Sequence, residues 1–323
     1  MILPKVLLFD LDETIVFSEE MKAKAWSDIL KVFGFCWEKE NTDGLTSISE
    51  ELRPATGLSP HDFIKNLIEN LSLLYRTINL YGENLSPEEV EYRKNLSHLL
   101  LDPEKLEKMI GIMKDYWTFS LVEQAKLFAI EDKIKEVPGA AETIKKVREK
   151  GYRIGIITQA PIQYAEEVLA YLGLIDRDDR SNDIIDVVVS GDMVEKPKPD
   201  PESLILATDL IFQKVAVEAE ERRTGTKLPA KQKVEVQDSV HRHYFGPEEA
   251  VFPNPVAIIG DSLADIEAGR EYPRISTIRK ILINTRNLSP ADIKDINPDF
   301  TINHFEELLP RLEGTAGRKI EKR

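Results

Sequence analysis

Val6-Leu7-Leu8-Phe9 runs directly into Asp10-Leu11-Asp12-Glu13-Thr14. An apolar run bounded by polar residues reads as a strand buried on both faces, the kind found in parallel sheets. Asp10 and Asp12 are separated by one residue, and in extended backbone such pairs point to the same side. At the carboxyl end of a parallel strand, that side faces the crevice where open α/β sheets bind ligands. One carboxylate can attack an electrophile while the other moves protons, and together they can hold a hard divalent cation. The competing reading is that the two aspartates cap the next helix.

The chain has 323 residues, 42% of them hydrophobic, and a formal net charge of −14. That length serves one large domain or two modest ones. So acidic a surface disfavours nonspecific binding to nucleic acid or anionic lipid, yet leaves room for a local positive pocket around a small anion. No stretch approaches the ~20 apolar residues of a membrane span. With a strand starting almost at Met1, no signal peptide is expected. The single cysteine, Cys36, sits between Phe35 and Trp37 and fits a packed thiol in a reducing cytoplasm. The expectation is a cytoplasmic protein with no nucleic-acid and no membrane partner.

Residues 18–136 read as all-helical. Apolar positions recur at helical spacing over 21–33. Ser59-Pro60, Ser86-Pro87 and Asp102-Pro103 each pair an N-cap residue with proline at the first helical position. Ser86 with Glu89 has capping-box spacing. The last of these helices is predicted over 103–130. Trp26, Trp37 and Trp117 all fall in this block.

The texture changes at Val137-Pro138-Gly139. Helices over 140–150 and 161–172 alternate with strands over 153–157, 185–189, 256–259, 280–283 and 300–302, which argues for a parallel sheet. The strand at 6–9 has no partner nearby in sequence and is expected to join that sheet. The predicted architecture is therefore α/β: a three-layer Rossmann-like parallel-sheet core from 1–17 and 137–323, with an inserted helical cap domain at 18–136. A second insertion at about 213–254 is polar and locally basic at Arg222, Arg223, Lys227, Lys231 and Lys233. His241 and His243 in it read as members of a solvated loop rather than as metal ligands, and the insertion is a candidate surface for a partner or oligomer.

Further polar groups stand at the ends of predicted strands. Thr158-Gln159-Ala160-Pro161 joins a strand to a helix start, where a hydroxyl and backbone N–H groups cradle an anion. Lys196, in Lys-Pro-Lys-Pro-Asp, can place a positive charge from a stiff loop. Asp261 follows the strand at 256–259, with Asp265 one helical turn on. Each has a plain structural reading as a cap or a surface charge. Their recurrence at successive strand ends of one sheet favours a site.

On these residues the chain resembles the haloacid dehalogenase superfamily: Asp10-Leu11-Asp12-Glu13-Thr14 matches its first motif, Thr158 its second, Lys196 its third, and Asp261 with Asp265 its fourth. Val16-Phe17-Ser18-Glu19, followed by Ala25-Trp26, looks like the entry to the helical cap of the phosphoglycolate phosphatase-like branch. The resemblance covers 1–212 and 256–312. Glu13 replaces a glycine common in that family, and Gln159 an asparagine.

The resemblance implies a hydrolase acting on phosphoric monoesters, a Mg²⁺-dependent phosphatase that hydrolyses a small phosphorylated metabolite through an aspartyl-phosphate. Asp10 would be the nucleophile and Asp12 the acid/base. Thr158, Gln159 and Lys196 would bind phosphate. Mg²⁺ would sit on Asp10, the main-chain carbonyl of Asp12, and Asp261, with Asp265 in support. The cation answers a physical need: a carboxylate facing a phosphate charge at ~4 Å costs about 4 kcal/mol at an effective dielectric near 20. A phosphomutase would share these residues. A non-catalytic binding protein that keeps the site is the alternative from another class.

Overall fold

The computed structural model describes residues 5–32, 65, 102–180, 183–245, 256–272 and 278–313. The predicted helix starts at Ser59-Pro60 and Ser86-Pro87, together with Cys36 and Trp37, lie outside these residues. The chain divides into two compact units, one of residues 1–19 and 125–323 and one of residues 20–124.

The larger unit is built on β1 (Val6–Phe9), the strand predicted from the opening run. It pairs in parallel with β4 (Arg153–Ile157) on one side and β6 (Val256–Gly260) on the other. β5 (Val187–Val189) extends the sheet beyond β4, and β7 (Arg279–Ile283) with β8 (Phe300–Ile302) extends it beyond β6. The result is a six-stranded sheet in the order β5-β4-β1-β6-β7-β8. The chain winds outward from β1 in one direction and then in the other, so the switch point of the topology falls at the end of β1. A short antiparallel ribbon joins β2 (Val16–Phe17) to β3 (Lys135–Glu136).

The alternation of side chains along β1 serves both faces. Val6 and Leu8 pack with α5 (Glu202–Thr224) and with Ala268 of α7 (Leu263–Glu271). Phe9 faces the other way and stacks on Phe305 at 6.3 Å. α3 (Ala140–Glu149), α4 (Ile162–Tyr171), α8 (Pro290–Ile296) and α9 (Leu308–Leu312) are further helices of this α/β, Rossmann-like unit. No described helix is long and apolar enough to cross a membrane.

The smaller unit contains most of α1 (Glu19–Val32) and most of α2 (Pro103–Ile130). α2 has the predicted bounds, and Asp102 accepts the Lys105 N–H at 3.3 Å as its cap. Trp26 and Trp117 stack at 5.5 Å and are buried, so these aromatics serve the helical core. Asp28 ties the two helices by accepting from Ser120 and Gln124.

The region expected to be a solvated loop is not one over its described residues. α5 continues to Thr224, ends at Gly225 in left-handed conformation (φ 69°), and is followed by α6 (Ala230–Phe245). Leu204, Ala207, Ile211, Phe212 and Val215 form a stripe at helical spacing that covers the sheet, and Val240 of α6 joins the same cluster. The charged residues that mask this stripe in the sequence pair locally: Arg223 with Glu220, and Lys227 and Lys233 with Glu221. His241 lies in α6 with Nδ1 at 2.6 Å from Asp209 of α5. Three of the basic positions thus pair on the surface, while the apolar stripe belongs to the core.

Asp186 anchors this helix to the sheet. Its side chain is fully buried and accepts from Arg148, Arg153 and the Ile154 N–H, with Lys214 of α5 at 3.4 Å. Burial alone would raise its pKa, but the Ile154 N–H and three cations hold it below the usual carboxylate range. Asp186→Asn would leave those cations around an uncharged group. We expect a loss of about 3 kcal/mol, read as a lower urea midpoint. An unchanged midpoint would mean the cluster does not carry the attachment of α5.

Candidate active site

The carboxyl ends of β1, β4 and β6 meet at the switch point. Asp10 directly follows β1 and continues its ladder, donating its N–H to Ile259 O at 2.9 Å. Thr158 follows β4 and donates its N–H to Val189 O at 2.9 Å. Asp261 follows β6. Asp10, Thr158, Asp261 and Asp265 are all buried.

The turn after β1 fixes the pair of aspartates. Leu11 O accepts from Ile15 and Val16, and Glu13 adopts left-handed backbone (φ 58°). A glycine would adopt that conformation at no steric cost, which accounts for the family preference noted above. The Glu13 side chain instead caps the following segment, accepting from Ser18 N at 2.8 Å and Ser18 Oγ at 3.1 Å. Thr285 Oγ1 donates to Glu13 O at 2.6 Å.

Asp12 is held by Tyr164, whose hydroxyl donates to Asp12 Oδ1 at 2.9 Å, with Thr158 Oγ1 at 3.5 Å from Asp12 Oδ2. Burial raises the Tyr164 pKa well above its usual value and Asp12 raises it further, so the phenol stays a neutral donor. Thr158 Oγ1 also accepts the Ala160 N–H at 3.0 Å, which orients the hydroxyl at the start of α4.

The lysine in the site is Lys198, not Lys196. Lys198 Nζ lies 2.5 Å from Asp10 Oδ1 and 2.7 Å from Asp265 Oδ1, and also reaches Ile157 O at 3.3 Å. Lys196 is 72% exposed and stands 4.0 Å from Asp200. A turn separates them. Asp200 N donates to Pro197 O at 3.0 Å, and the Glu202 carboxylate holds the N–H groups of Glu195 and Lys196 on the outer side. Both lysines precede a proline in the sequence, and it is this turn that sends Lys198 inward and Lys196 outward. Gln159, expected to bind phosphate, uses its side-chain amide to donate to Lys198 O at 2.9 Å. It braces the lysine loop.

Asp265 closes a capping box with Ser262 at the start of α7 and turns its other oxygen to Lys198. A Cβ at Gly260 would lie 2.4 Å from the Asp265 carboxyl carbon, so only glycine lets the carboxylate reach this place. Thr14 Oγ1 donates to Asp261 Oδ1 at 3.0 Å.

The sequence reading missed two participants. Tyr164 lies on the buried face of α4, where a tyrosine is taken for core. Arg286 follows β7 in Asn284-Thr285-Arg286-Asn287, and its Nε contacts Asp261 Oδ2. Its place at a strand's carboxyl end is the signal that could have found it.

Negative charge is concentrated here. Burial pushes the Asp10 carboxyl well above its usual range; Lys198 opposes this, and Asp265, Asp261 and Asp12 reinforce it. Burial also pushes Asp261 up to about 6 against the pull of Arg286. The Lys198 ammonium is desolvated, but Asp10 and Asp265 keep it charged. Ligand atoms of Asp10, Asp261 and Asp265 lie within 4.8 Å of one another, and Asp261 Oδ2 is buried and accepts no hydrogen bond. An all-oxygen, acidic set of this kind fits Mg²⁺.

The model of the haloacid dehalogenase-like hydrolase family matches residues 4–217. The chain is similar to a phosphoglycolate phosphatase of Nitrosococcus oceani, 24% identical over 179 residues, covering 55% of this chain and 58% of that protein. It is also similar to an N-acetylmuramic acid 6-phosphate phosphatase of Pseudomonas aeruginosa, 26% identical over 176 residues and covering 54% and 56% respectively. The chain thus spans a little over half the length of these two relatives. Among solved structures, a hydrolase from Pseudomonas syringae superposes with a TM-score of 0.53 at 15% identity, covering 96% of this chain and 98% of that one. CbbY from Rhodobacter sphaeroides, in complex with phosphate, gives 0.52 at 18% identity, covering 94% and 96%. At these identities the superpositions speak to the fold alone.

Proposed function

This chain belongs to the haloacid dehalogenase-like hydrolases, and we propose on that premise that it is a Mg²⁺-dependent phosphatase acting on a small phosphorylated metabolite. The observation that carries the reading is the seating of Lys198 between Asp10 and Asp265 at the switch point, with Asp12 held alongside by Tyr164. A nucleophile, a proton carrier and a fixed cation then share one strand-end crevice.

In the first step an Asp10 carboxylate oxygen attacks phosphorus. The bond to the leaving oxygen breaks, and Asp12 gives that oxygen a proton. In the second step Asp12 takes a proton from water, the water oxygen attacks the aspartyl-phosphate, and inorganic phosphate leaves with Asp10 restored. The Tyr164 hydrogen bond stabilises Asp12 as the carboxylate needed for the second step. Lys198 and the Thr158 hydroxyl stabilise charge on the phosphoryl oxygens. Asp265 positions Lys198. A divalent cation held by Asp10, the Asp12 carbonyl and Asp261 would offset the repulsion between carboxylate and phosphate.

The names of the two relatives support small phosphorylated metabolites as the substrate class. The test is a panel of phosphomonoesters, headed by phosphoglycolate and N-acetylmuramic acid 6-phosphate, assayed with Mg²⁺ and then with excess EDTA. Turnover that EDTA abolishes and Mg²⁺ restores is expected. Robust hydrolysis in EDTA would overturn the mechanism.

A further inference from the structure

Arg286 is a charged group at the strand ends that the proposed chemistry does not use. It projects from the loop after β7, its side chain is 30% exposed, and its Nε touches Oδ2 of an Asp261 side chain that is 2% exposed. The other Asp261 oxygen is already occupied by Thr14. At Asp261 Oδ2 the guanidinium is an ion-pair partner. The Asp261 carboxylate also belongs to the Asp10–Asp261–Asp265 group, the one cluster among the described residues whose donors could hold a metal ion.

Two cations cannot use one carboxylate oxygen independently. A divalent ion that draws on Asp261 Oδ2 meets a resident guanidinium, and their mutual repulsion in a buried setting is large. The arginine offsets negative charge at Asp261, and Lys198 offsets it at Asp10 and Asp265. From this geometry we infer that Arg286 is a displaceable counter-ion that competes with the divalent cation for Asp261 and sets a lower metal affinity than the acidic cluster would otherwise have. The partial exposure of its side chain gives it somewhere to go, because a guanidinium turned toward water regains its hydration. The inference rests on the proposed Mg²⁺ site but not on phosphatase chemistry.

Calorimetric titration with MgCl₂, without substrate, tests it on the full chain. Arg286→Gln is expected to bind Mg²⁺ at least tenfold more tightly than the wild type. In EDTA its thermal midpoint should fall below that of the wild type, and saturating Mg²⁺ should raise it by more. Arg286→Lys should fall between the two, because the compact, strongly hydrated ammonium lacks the planar fork. A Gln variant that folds only with Mg²⁺ supports competition. If that variant folds in neither condition, the Lys variant decides: tighter binding supports the inference and equal binding overturns it. Equal or weaker Mg²⁺ affinity in a folded Arg286→Gln protein overturns it and makes Arg286 a residue that holds Asp261 in place. If the wild type binds Mg²⁺ but hydrolyses no phosphomonoester, the functional reading fails and this one stands. If neither the wild type nor Arg286→Gln binds Mg²⁺, both fail.

Discussion

Asp10→Asn is expected to lower hydrolysis of p-nitrophenyl phosphate by on the order of 10⁴-fold or more, without loss of the fold. The carboxamide keeps the shape of the carboxylate but cannot attack phosphorus. Stability should move the other way. The folded protein raises the Asp10 pKa, chiefly by burying it, so the fold favours the neutral acid over the carboxylate. A group shifted in this direction stabilises the fold below its unfolded pKa, near 3.9, and that contribution is lost as pH rises through the folded value. At neutral pH in EDTA the ionised carboxylate is a net cost, and asparagine removes it. The variant should therefore unfold at an equal or higher urea concentration than the wild type at pH 7, with an advantage that shrinks toward pH 4. An inactive variant that unfolds earlier would mean that Asp10 serves structure. Activity above a tenth of wild type would remove it as the nucleophile.

That opposition between function and stability marks what the sequence could disclose. Strand β1 was legible because an apolar run ending in Asp-x-Asp has few other uses, and its partners followed from the alternation of strands and helices after residue 137. α2 was legible at both ends because Asp102-Pro103 states its start and the apolar pattern carries it to Ile130. The stretch 213–245 was misread because its charges are conspicuous and its apolar residues are spaced out. The sheet-facing stripe starts at Leu204, upstream of the charged stretch, and continues into it. Local composition outvoted periodicity where the helix is half core and half solvent. Tyr164 and Arg286 were missed because their contacts with Asp12 and Asp261 are made across the fold, and no local pattern announces such a partner.

The sharpest discrimination lies between two lysines that one proline separates. Lys198→Met should reduce turnover by roughly 10³-fold and cost about 3–5 kcal/mol of stability. It would leave Asp10 and Asp265 buried side by side with no charge between them. Methionine fills most of the volume of the lysine stem, so the loss reports the ammonium more than a cavity. Lys196→Met should change activity by less than about twofold and stability by no more than ~0.5 kcal/mol. Its side chain is 72% exposed, and its ammonium stands 4.0 Å from Asp200. Denaturation in the presence of Mg²⁺ should recover part of the Lys198→Met deficit, since a divalent cation can serve the same carboxylates, whereas nothing in the Lys196 variant calls for recovery. Equal loss of activity in both variants, with intact circular-dichroism spectra, would mean that the Pro197–Asp200 turn rearranges on substrate binding. Lys196 would then enter the site, and the charge seen between Asp10 and Asp265 would be a structural ion pair.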